Sequence, residues 1–349
     1  MCRSLCAVLA ALLLAACDAA AEQIKLKTNL QAPLSNPFYG VSLARFKAEV
    51  ERQSNNDLLI EIFDKAQLYQ DHQVVDAVSS GAIDIGLTAA HNYAERVAAA
   101  RILDQPFLFN FAVLMQTVAS PDSEMRKLID EAILDETGAR ILWWQSLGDT
   151  VFYSKGRDVA DPDQLKEKRV GVTGTANAEV NARCGAKPSV LPIEKIYEAL
   201  RDGTIDMGVA GIAALEGRGF WKVADTITRT AHAPLEFFLV INEKKWQSLS
   251  IGHRTIIAQV ARKVESETRE RLSTFEVKAY VFATSKGIKV KDLSPNQFAE
   301  WRACSAEVIA DYMDKNGDIA RRLMDAYGKL RTDPCCTAGP SGDLAFTAR

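Results

Sequence analysis

The stretch DAVSSGAIDIG, residues 76–86, has a near copy in EALRDGTIDMG, residues 198–208. In each copy, apolar residues at helical spacing precede a glycine, Gly81 or Gly203, and an alternating run follows. Glycine suits the left-handed conformation with which many helices end. Each copy therefore predicts a helix, a glycine cap and a strand, although a chance match of two common local units would look the same.

A further strand can be placed before each of these helices. The candidates are DLLIEIF (57–63) for the first, and RVGVTG (169–174) with KPSVLP (187–192) for the second. Each unit then completes a βαβ crossover, so the fold class predicted is α/β with two similar lobes. Ligands of open α/β sheets bind beyond the carboxyl ends of the strands. We therefore expect residues 88–91 and 210–211 to face a common cleft.

Composition and charge indicate a globular protein that does not bind nucleic acid. The chain has 349 residues, 48% of them hydrophobic and 25% charged, which is enough for a packed core and suggests about two domains. The formal charge is −3, and basic and acidic residues are interleaved. Because no basic stripe is present, nucleic acid is not expected as a partner.

The first residues have the pattern of an export signal, which we assign to residues 1–21. Arg3 precedes the apolar run LCAVLAALLLAAC, which is short for a permanent membrane anchor. The run ends in Leu-Ala-Ala-Cys, which resembles the bacterial lipobox and predicts a lipid on Cys17. Asp18 would then favour retention at the inner membrane, whereas the small residues 19–21 offer a rival cleavage site. Both alternatives predict a periplasmic protein.

Four cysteines follow the leader: Cys184, Cys304, Cys335 and Cys336. In an oxidising compartment they allow three pairings, and a bond between the adjacent Cys335 and Cys336 would be strained. We therefore expect the tail, residues 333–349, to be bonded to Cys184 and Cys304 and otherwise to form a flexible loop. Because no Cys-x-x-Cys or histidine-rich cluster accompanies these cysteines, no metal site is predicted.

Six collinear segments resemble the solute-binding subunit of a tripartite ATP-independent periplasmic (TRAP) transporter, of the DctP-like family. Within residues 25–330 they read IEIFDKAQLYQDHQVVDAVSSGAIDIGLTAA, LDQPFLF, GARILWW, DPDQLKEKRVGVTG, VLPIEKIYEALRDGTIDMG and HAPLEFFLVINEKKWQSL. The resemblance implies a two-lobed, class II-like periplasmic binding protein with a ligand cleft and a long bracing helix within 252–286. It also implies one small organic solute, passed to large and small permease subunits, with no catalysis and no cofactor.

The resemblance also implies where the lobes begin and end. Lobe I takes residues 22–148 plus about 237–270, and lobe II takes 149–236 plus about 271–332. We expect a monomer, attached to the membrane only through the possible lipid.

Several positions differ from the residues that are usual in the family. The arginine that commonly holds a substrate carboxylate falls on Gly171, and Arg169, two residues earlier on the same strand face, is either its substitute or a surface residue. Thr150 stands where a second arginine is common, and Gln73 stands where an acidic residue is. These losses argue against a C4-dicarboxylate or a sialic-acid-like solute. A less polar, neutral or ring-shaped compound competes with an organic acid as the expected ligand.

Aromatic and hydroxyl side chains complete the predicted cleft. On a strand, one of Trp143 and Trp144 faces the ligand, and we choose Trp144; Phe237 is chosen over its neighbour Phe238. His91 follows the first repeated strand, where it could donate a hydrogen bond, and His232 is expected to be structural. The predicted lining residues are Gln73, Thr88, His91, Trp144, Thr150, Arg169, Thr173 and Phe237.

Motifs of the common hydrolases are missing from the sequence. The chain contains no Gly-x-Ser-x-Gly, no His-Glu-x-x-His and no glycine-rich phosphate loop. A binding protein is therefore favoured over an enzyme. The alternative function is a solute-sensing lipoprotein that presents its ligand to a membrane signalling receptor, since transport and sensing both use closure of two lobes around a ligand.

Overall fold

Two β-sheets that share one long strand form the frame of the protein. The computed structural model describes residues 23–109 and 112–332. Its strands are β1 (Ile24–Leu30), β2 (Leu58–Phe63), β3 (Ile85–Ala89), β4 (Ala139–Ser154), β5 (Arg169–Val172), β6 (Lys187–Val190), β7 (Met207–Gly211), β8 (Thr226–Arg229), β9 (Pro234–Asn242) and β10 (Lys289–Asp292).

Helices cover both sheets. They are α1 (Tyr39–Gln53), α2 (Val74–Ser80), α3 (His91–Ala94), α4 (Ala112–Val118), α5 (Glu124–Thr137), α6 (Thr175–Arg183), α7 (Ile193–Asp202), α8 (Ala214–Gly217), α9 (Glu243–Ser248), α10 (Ile251–Ser285) and α11 (Pro295–Thr332). Within the described residues, none of these helices combines the length and the apolar composition that crossing a bilayer requires.

The repeated sequence forms the same unit in each lobe. Helix α2 ends at Gly81, with a φ of 78°, and β3 follows; α7 ends at Gly203, with a φ of 68°, and β7 follows. In lobe I, β1 lies between β2 and β3, all parallel, and in lobe II β5 lies between β6 and β7 in the same way. The prediction of two similar α/β lobes is confirmed.

Two antiparallel strands connect the lobes. Strand β9 pairs with β3 on one side and with β4 on the other, and β4 continues into lobe II, where it pairs with β7 and β8. The pairing of β4 with β9 shifts register between Ser146 and Asp149, at the point where β4 leaves lobe I. An irregularity of this kind bends a strand locally.

A single helix braces both lobes. In α10, Ile257, Val260 and Leu272 pack into the lobe I core, whereas Ala279 and Ala283 pack into the lobe II core. Thirty-five residues of α-helix extend about 52 Å, long enough to follow both lobes. The long bracing helix predicted within residues 252–286 is confirmed.

Helix α11 also contacts both lobes, which differs from the predicted lobe boundaries. Phe298 and Trp301 belong to a lobe II core, but Tyr312 and Leu323 belong to a lobe I core. The helix bends at Gly317, whose backbone is not helical. Residues 271–332 therefore do not all belong to lobe II, because the second part of α11 buries its apolar face on lobe I.

The disulfide differs from the predicted pairing. Cys184, at the end of α6, is bonded to Cys304 of α11, with their Cα atoms 5.1 Å apart. Since each cysteine forms one disulfide, the predicted bonds from this pair to the tail are wrong. Cys335 and Cys336 lie outside the described residues, as do the tail, the leader and Cys17.

Candidate functional site

A cavity of about 860 Å³ lies between the lobes. Its wall includes residues that follow the carboxyl ends of strands in both lobes: Gln31 after β1, His91 after β3 and Thr173 after β5. This is the edge at which open α/β sheets bind ligands. A volume of this size suits a small organic molecule.

The loop between β1 and α1 supplies one part of the lobe I wall. The Asn36 side-chain oxygen accepts hydrogen bonds from the backbone N–H groups of Phe38 and Tyr39, at 3.0 and 2.9 Å, and so holds the loop against the start of α1. The Tyr39 ring packs edge-on against Phe237, with centroids 5.1 Å apart. The Asn36 amide nitrogen faces lobe II, because a β-carbon added at Gly217 would lie 3.1 Å from it.

Gln31 is a buried amide without a partner. Its side chain is 7% exposed, and neither its oxygen nor its nitrogen makes a hydrogen bond to the described residues. Leaving a buried polar group unpaired costs about 1–3 kcal/mol. A bound molecule that both donates and accepts at this position would recover that free energy.

Asp71 is held in the lobe I wall by its neighbours. Its carboxylate accepts from the Asn92 amide at 2.8 Å and from the Ala89 N–H at 3.3 Å. The Thr88 hydroxyl donates to the Asp71 backbone oxygen and accepts from Asn92. Thr88, predicted to contact the ligand, is therefore buried behind the wall because it positions Asp71 and Asn92.

His91 reaches across the cleft to the other lobe. A β-carbon added at Gly174, where φ is 76°, would lie 3.2 Å from the His91 ring. Nearby, Arg101 forms an ion pair of 2.7 Å with Glu179 of α6. Burial raises the pKa of Asp104 to about 6, against the opposing charges of His91 and Arg101. The two lobes are thus in contact along the cleft.

The lobe II wall is built on Thr150. Its hydroxyl donates to the Ala233 carbonyl at 3.0 Å and lies 3.3 Å from Nε2 of His232. Burial lowers the pKa of His232 to about 4, so the ring is neutral at neutral pH. Its Nε2 lies 3.2 Å from the Asn177 side-chain oxygen, which assigns the ring proton to Nε2. Thr150, which lines the cavity, is thus held in place by His232 and the Ala233 carbonyl.

Three arginines of the wall each have a carboxylate partner. Arg96 pairs with Asp76 at 2.5 Å, Arg201 pairs with Asp202 at 2.8 Å, and Arg218 pairs with Glu194. The Arg218 side chain is 21% exposed, against 52% for Arg96 and 56% for Arg201. Arg218 is therefore the best covered of these three cations.

Four predicted residues, His91, Thr150, Thr173 and Phe237, line the cavity, whereas Gln73 and Trp144 do not. The Gln73 side chain accepts from the Gln70 N–H at 2.9 Å and caps the turn before α2. The Trp144 ring is buried in the lobe I core, where its Nε1 donates to Asp130 at 2.8 Å. Strand alternation points Trp144 at the helices behind the sheet.

Arg169 lies at the wrong edge of the sheet for ligand binding. It is the first residue of β5, half exposed, and it pairs with Asp206 at 3.0 Å. The carboxyl end of β5, not its amino end, faces the cleft. An arginine would not fit at position 171 either. A β-carbon added to Gly171 would lie 2.7 Å from Ile205 and 3.4 Å from Ile196.

Sequence reasoning missed Gln31, Asn36, Tyr39, Asp71 and Arg218. A signal for Arg218 was present, because the repeat continues: DIGLTAAHNYAER (84–96) aligns without a gap with DMGVAGIAALEGR (206–218). The two arginines that end these segments both line the cavity. Within the described residues, no group of three potential metal ligands is present.

Comparisons with known proteins agree with this architecture. The family model for DctP, described as bacterial extracellular solute-binding protein, family 7, matches residues 30–316. The C4-dicarboxylate-binding periplasmic protein DctP of Vibrio cholerae is 22% identical, over 75% of this chain and 78% of its own. The 2,3-diketo-L-gulonate-binding periplasmic protein YiaO of Escherichia coli is 23% identical, over 74% and 79%.

Solved structures share the fold. DctP7 of Bordetella pertussis, an extracytoplasmic solute receptor binding pyroglutamic acid, has a TM-score of 0.80 at 20% identity, over 87% of this chain and 99% of its own. A TRAP periplasmic solute-binding protein of Roseobacter denitrificans with bound β-D-glucuronate has a TM-score of 0.81 at 20% identity, over 87% and 98%.

Proposed function

The chain belongs to the DctP family of bacterial extracellular solute-binding proteins, the receptors of TRAP transporters, and on that premise we propose that it captures one small carboxylate-bearing solute for delivery to a membrane permease. The family is one of periplasmic receptors and not of enzymes. The observation that carries the proposal is the cavity between the lobes, with the buried and unpaired amide of Gln31 in its wall.

The elements around the cavity support capture by closure of the lobes. Two strands and the bracing helix α10 connect the lobes, while His91 and Asn36 approach lobe II across the cleft. A solute that contacts both walls would stabilise this closed arrangement, since ligands shift a protein towards the state they bind best.

A carboxylate is proposed because of what the similar proteins are named for. Their ligands include C4-dicarboxylates, 2,3-diketo-L-gulonate, pyroglutamic acid and glucuronate, all of which carry one. In this cleft, Arg218 is the best placed cation to bind such a group. Arg169 is paired with Asp206 at the outer edge of the sheet, and an arginine would not fit at position 171. Arginine binds carboxylates with two parallel hydrogen bonds where geometry allows.

Thermal unfolding of the purified mature protein tests solute capture. A panel of organic acids, amino acids, sugars and polyols is added at millimolar concentration, and a bound compound raises the melting temperature. Ala213→Trp, which fills the cavity, should abolish every shift, whereas Ala299→Trp on the exposed face of α11 should preserve them. If no compound of the panel shifts the transition, the proposed capture is wrong.

Delivery to a permease is tested separately. Vesicles that contain the large and small membrane subunits should accumulate a labelled solute when the loaded protein is added, and not when Ala213→Trp replaces it. Binding without any stimulated uptake would favour the alternative of a solute sensor.

A further inference from the structure

The charged side chains of the cavity wall are unequal in number. Five are acidic and three are basic, which leaves a formal charge of −2 when the two histidines of the wall are neutral. They are Asp71, Asp76, Glu95, Glu194 and Glu198 against Arg96, Arg201 and Arg218. Such a wall disfavours a solute with a net negative charge.

Two acids of the wall, Asp71 and Glu95, have no ion pair within the described residues; Glu95 is exposed, whereas Asp71 is half-buried. Asp76 and Glu194 have arginine partners, and Glu198 pairs with Lys195, but no cation lies within 4 Å of the Asp71 carboxylate in residues 23–109 and 112–332. Its hydrogen bonds come from a neutral amide and a backbone N–H. Asp71 is therefore a fixed anion whose charge is not balanced by a neighbour.

Arg218 retains donors for a ligand. Its Nη1 donates to Glu194, and its remaining guanidinium N–H groups make no hydrogen bond to the described part of the chain. Asn36 lies against Gly217, the residue before Arg218, so the arginine borders the narrow part of the cleft. A carboxylate could bind there without displacing Glu194, since guanidinium has five N–H groups.

Tyr39, Asp71 and Arg218 all line the same cavity. Burial raises the pKa of Tyr39 above its usual range, the charge of Arg218 lowers it, and the charge of Asp71 raises it. Both charges thus act on one cavity-lining hydroxyl, Arg218 from lobe II and Asp71 from lobe I. Gln31, whose amide is unpaired within the described residues, lines the same cavity as Tyr39.

Resting on the proposed function, we infer that the solute is a zwitterion of the amino-acid class, with its carboxylate on Arg218 and its ammonium group on Asp71. A zwitterion adds no net charge to a wall that is already negative. It also gives Asp71 a cationic donor, which the hydroxyl groups of a sugar acid or a 2-hydroxy acid do not. A dicarboxylate would place its second anionic group near Asp71, where the two charges repel.

Calorimetric titration with matched compounds tests this assignment. The mature protein is titrated with the standard amino acids, with 2-hydroxy acids of the same carbon skeletons, and with dicarboxylates, sugar acids and neutral sugars. We expect at least one amino acid to bind, and its 2-hydroxy analogue to bind at least about ten-fold more weakly, as loss of a charge-assisted hydrogen bond predicts.

Two variants locate the groups. Asp71→Asn should weaken the amino acid about ten-fold or more while leaving its 2-hydroxy analogue unaffected or improved. Arg218→Gln should weaken both compounds. The matched control for the second variant is Arg169→Gln, which should retain the affinity because Arg169 lies outside the cavity, at the outer edge of the sheet, where it pairs with Asp206. Unchanged melting temperatures without ligand show that each variant is folded.

The outcomes separate the inference from the function on which it rests. Tight binding restricted to dicarboxylates, sugar acids or neutral sugars overturns the zwitterion and leaves solute capture intact. Amino-acid binding that Asp71→Asn and Arg218→Gln do not change overturns the assignment of these residues. Failure of every compound to bind overturns both.

Discussion

At the scale of single residues, position along a strand matters more than side-chain type. Arg169 and Thr173 lie four residues apart on one segment, yet Arg169 is at the outer edge of the sheet and Thr173 is in the cavity wall. The repeated Asp84 and Asp206 explain why: each accepts a backbone N–H of the neighbouring parallel strand, from Lys27 at 2.7 Å and from Arg169 at 2.9 Å. The edge of each sheet opposite the cleft is therefore held together by hydrogen bonds between its strands and does not take part in ligand binding.

Arg169→Ala is expected to leave solute affinity unchanged. The pair with Asp206 is exposed, and pairs of this kind contribute about 0–1 kcal/mol to stability. Titration of the variant with any solute of the wild-type protein checks this, with Arg218→Gln as the comparison. A large loss of affinity in Arg169→Ala would contradict the position that the structure gives this side chain.

Gly174→Ala is expected to destabilise the folded protein. With a φ of 76° and a ψ of 152°, Gly174 occupies a region that only glycine adopts readily, at a cost of about 1–3 kcal/mol for other residues. The new methyl group would also press on the His91 ring, 3.2 Å away. Chemical unfolding of Gly174→Ala measures the loss.

The double variant His91→Ala/Gly174→Ala separates these two causes. It should recover the part of the loss that arises from the ring contact and not the part that arises from the backbone. Gly138→Ala, at a left-handed helical position with nothing within 4 Å of its added β-carbon, should show the smaller loss expected from a positive φ alone. A double variant no more stable than Gly174→Ala would argue against a contact with His91.

At the scale of elements, long helices and one covalent bond hold distant segments together. Helix α11 packs on lobe II through Phe298 and Trp301 and on lobe I through Tyr312 and Leu323, and the disulfide joins α6 to its lobe II part. The buried ion pair between Arg126 of α5 and Glu265 of α10 fixes the bracing helix to lobe I. The elements at the back of the molecule thus cross between the lobes as β4 and β9 do.

Cys184→Ser/Cys304→Ser is expected to lower the free energy of unfolding by about 2–5 kcal/mol, because the bond closes a loop between residues 120 positions apart. The control is Cys335→Ser/Cys336→Ser, which should leave the free energy of unfolding unchanged. Unfolding with and without reductant measures both. Peptide mapping that finds Cys184 or Cys304 bonded to a tail cysteine would refute the observed pairing.

At the scale of the whole molecule, buried carboxyl groups lie where the lobes connect. Burial raises the pKa of Glu236, on β9, to about 8, against the Ser146 hydroxyl and the charge of Arg269. Burial and the neighbouring Glu276 raise the pKa of Asp149, on β4, also to about 8, against Arg229. Both carboxyls are mainly protonated in the folded protein at neutral pH.

These shifts predict that stability falls as the pH rises. The pKa of each carboxyl is near 4 in the unfolded state and about 8 in the folded state. Between these two pH values, the folded state binds more protons than the unfolded state. The contribution of each carboxyl is present below that interval and is lost across it, at up to about 1.4 kcal/mol per pH unit for one group. Urea unfolding between pH 5 and pH 8 measures the slope.

Glu236→Gln should flatten this slope, because the amide does not ionise and fits the same space. Glu243→Gln is the matched control: Glu243 pairs with Arg140 near the surface, and its pKa is lowered, not raised. A slope in Glu236→Gln as steep as in the wild-type protein would show that Glu236 is not the group responsible.

Local signals in the sequence by themselves determined the two lobes and the glycine-capped units, whereas the bracing helix was expected from the family resemblance. Helical periodicity and a glycine cap depend on neighbouring residues, so each can be identified without knowing what packs against it. The same signals, continued to Arg96 and Arg218, contained one cleft arginine that sequence reasoning overlooked.

Only the tertiary structure decided the composition of the cleft. In the structure, Trp144 lies in the core, Arg169 lies at the outer edge of the sheet, and Cys184 is bonded to Cys304. Each of these positions depends on which distant segment fills the neighbouring space. Asp71 of lobe I and Arg218 of lobe II line one cavity because of how the two lobes close on each other. No local pattern encodes that arrangement, since the residues come from different lobes and are brought together by packing.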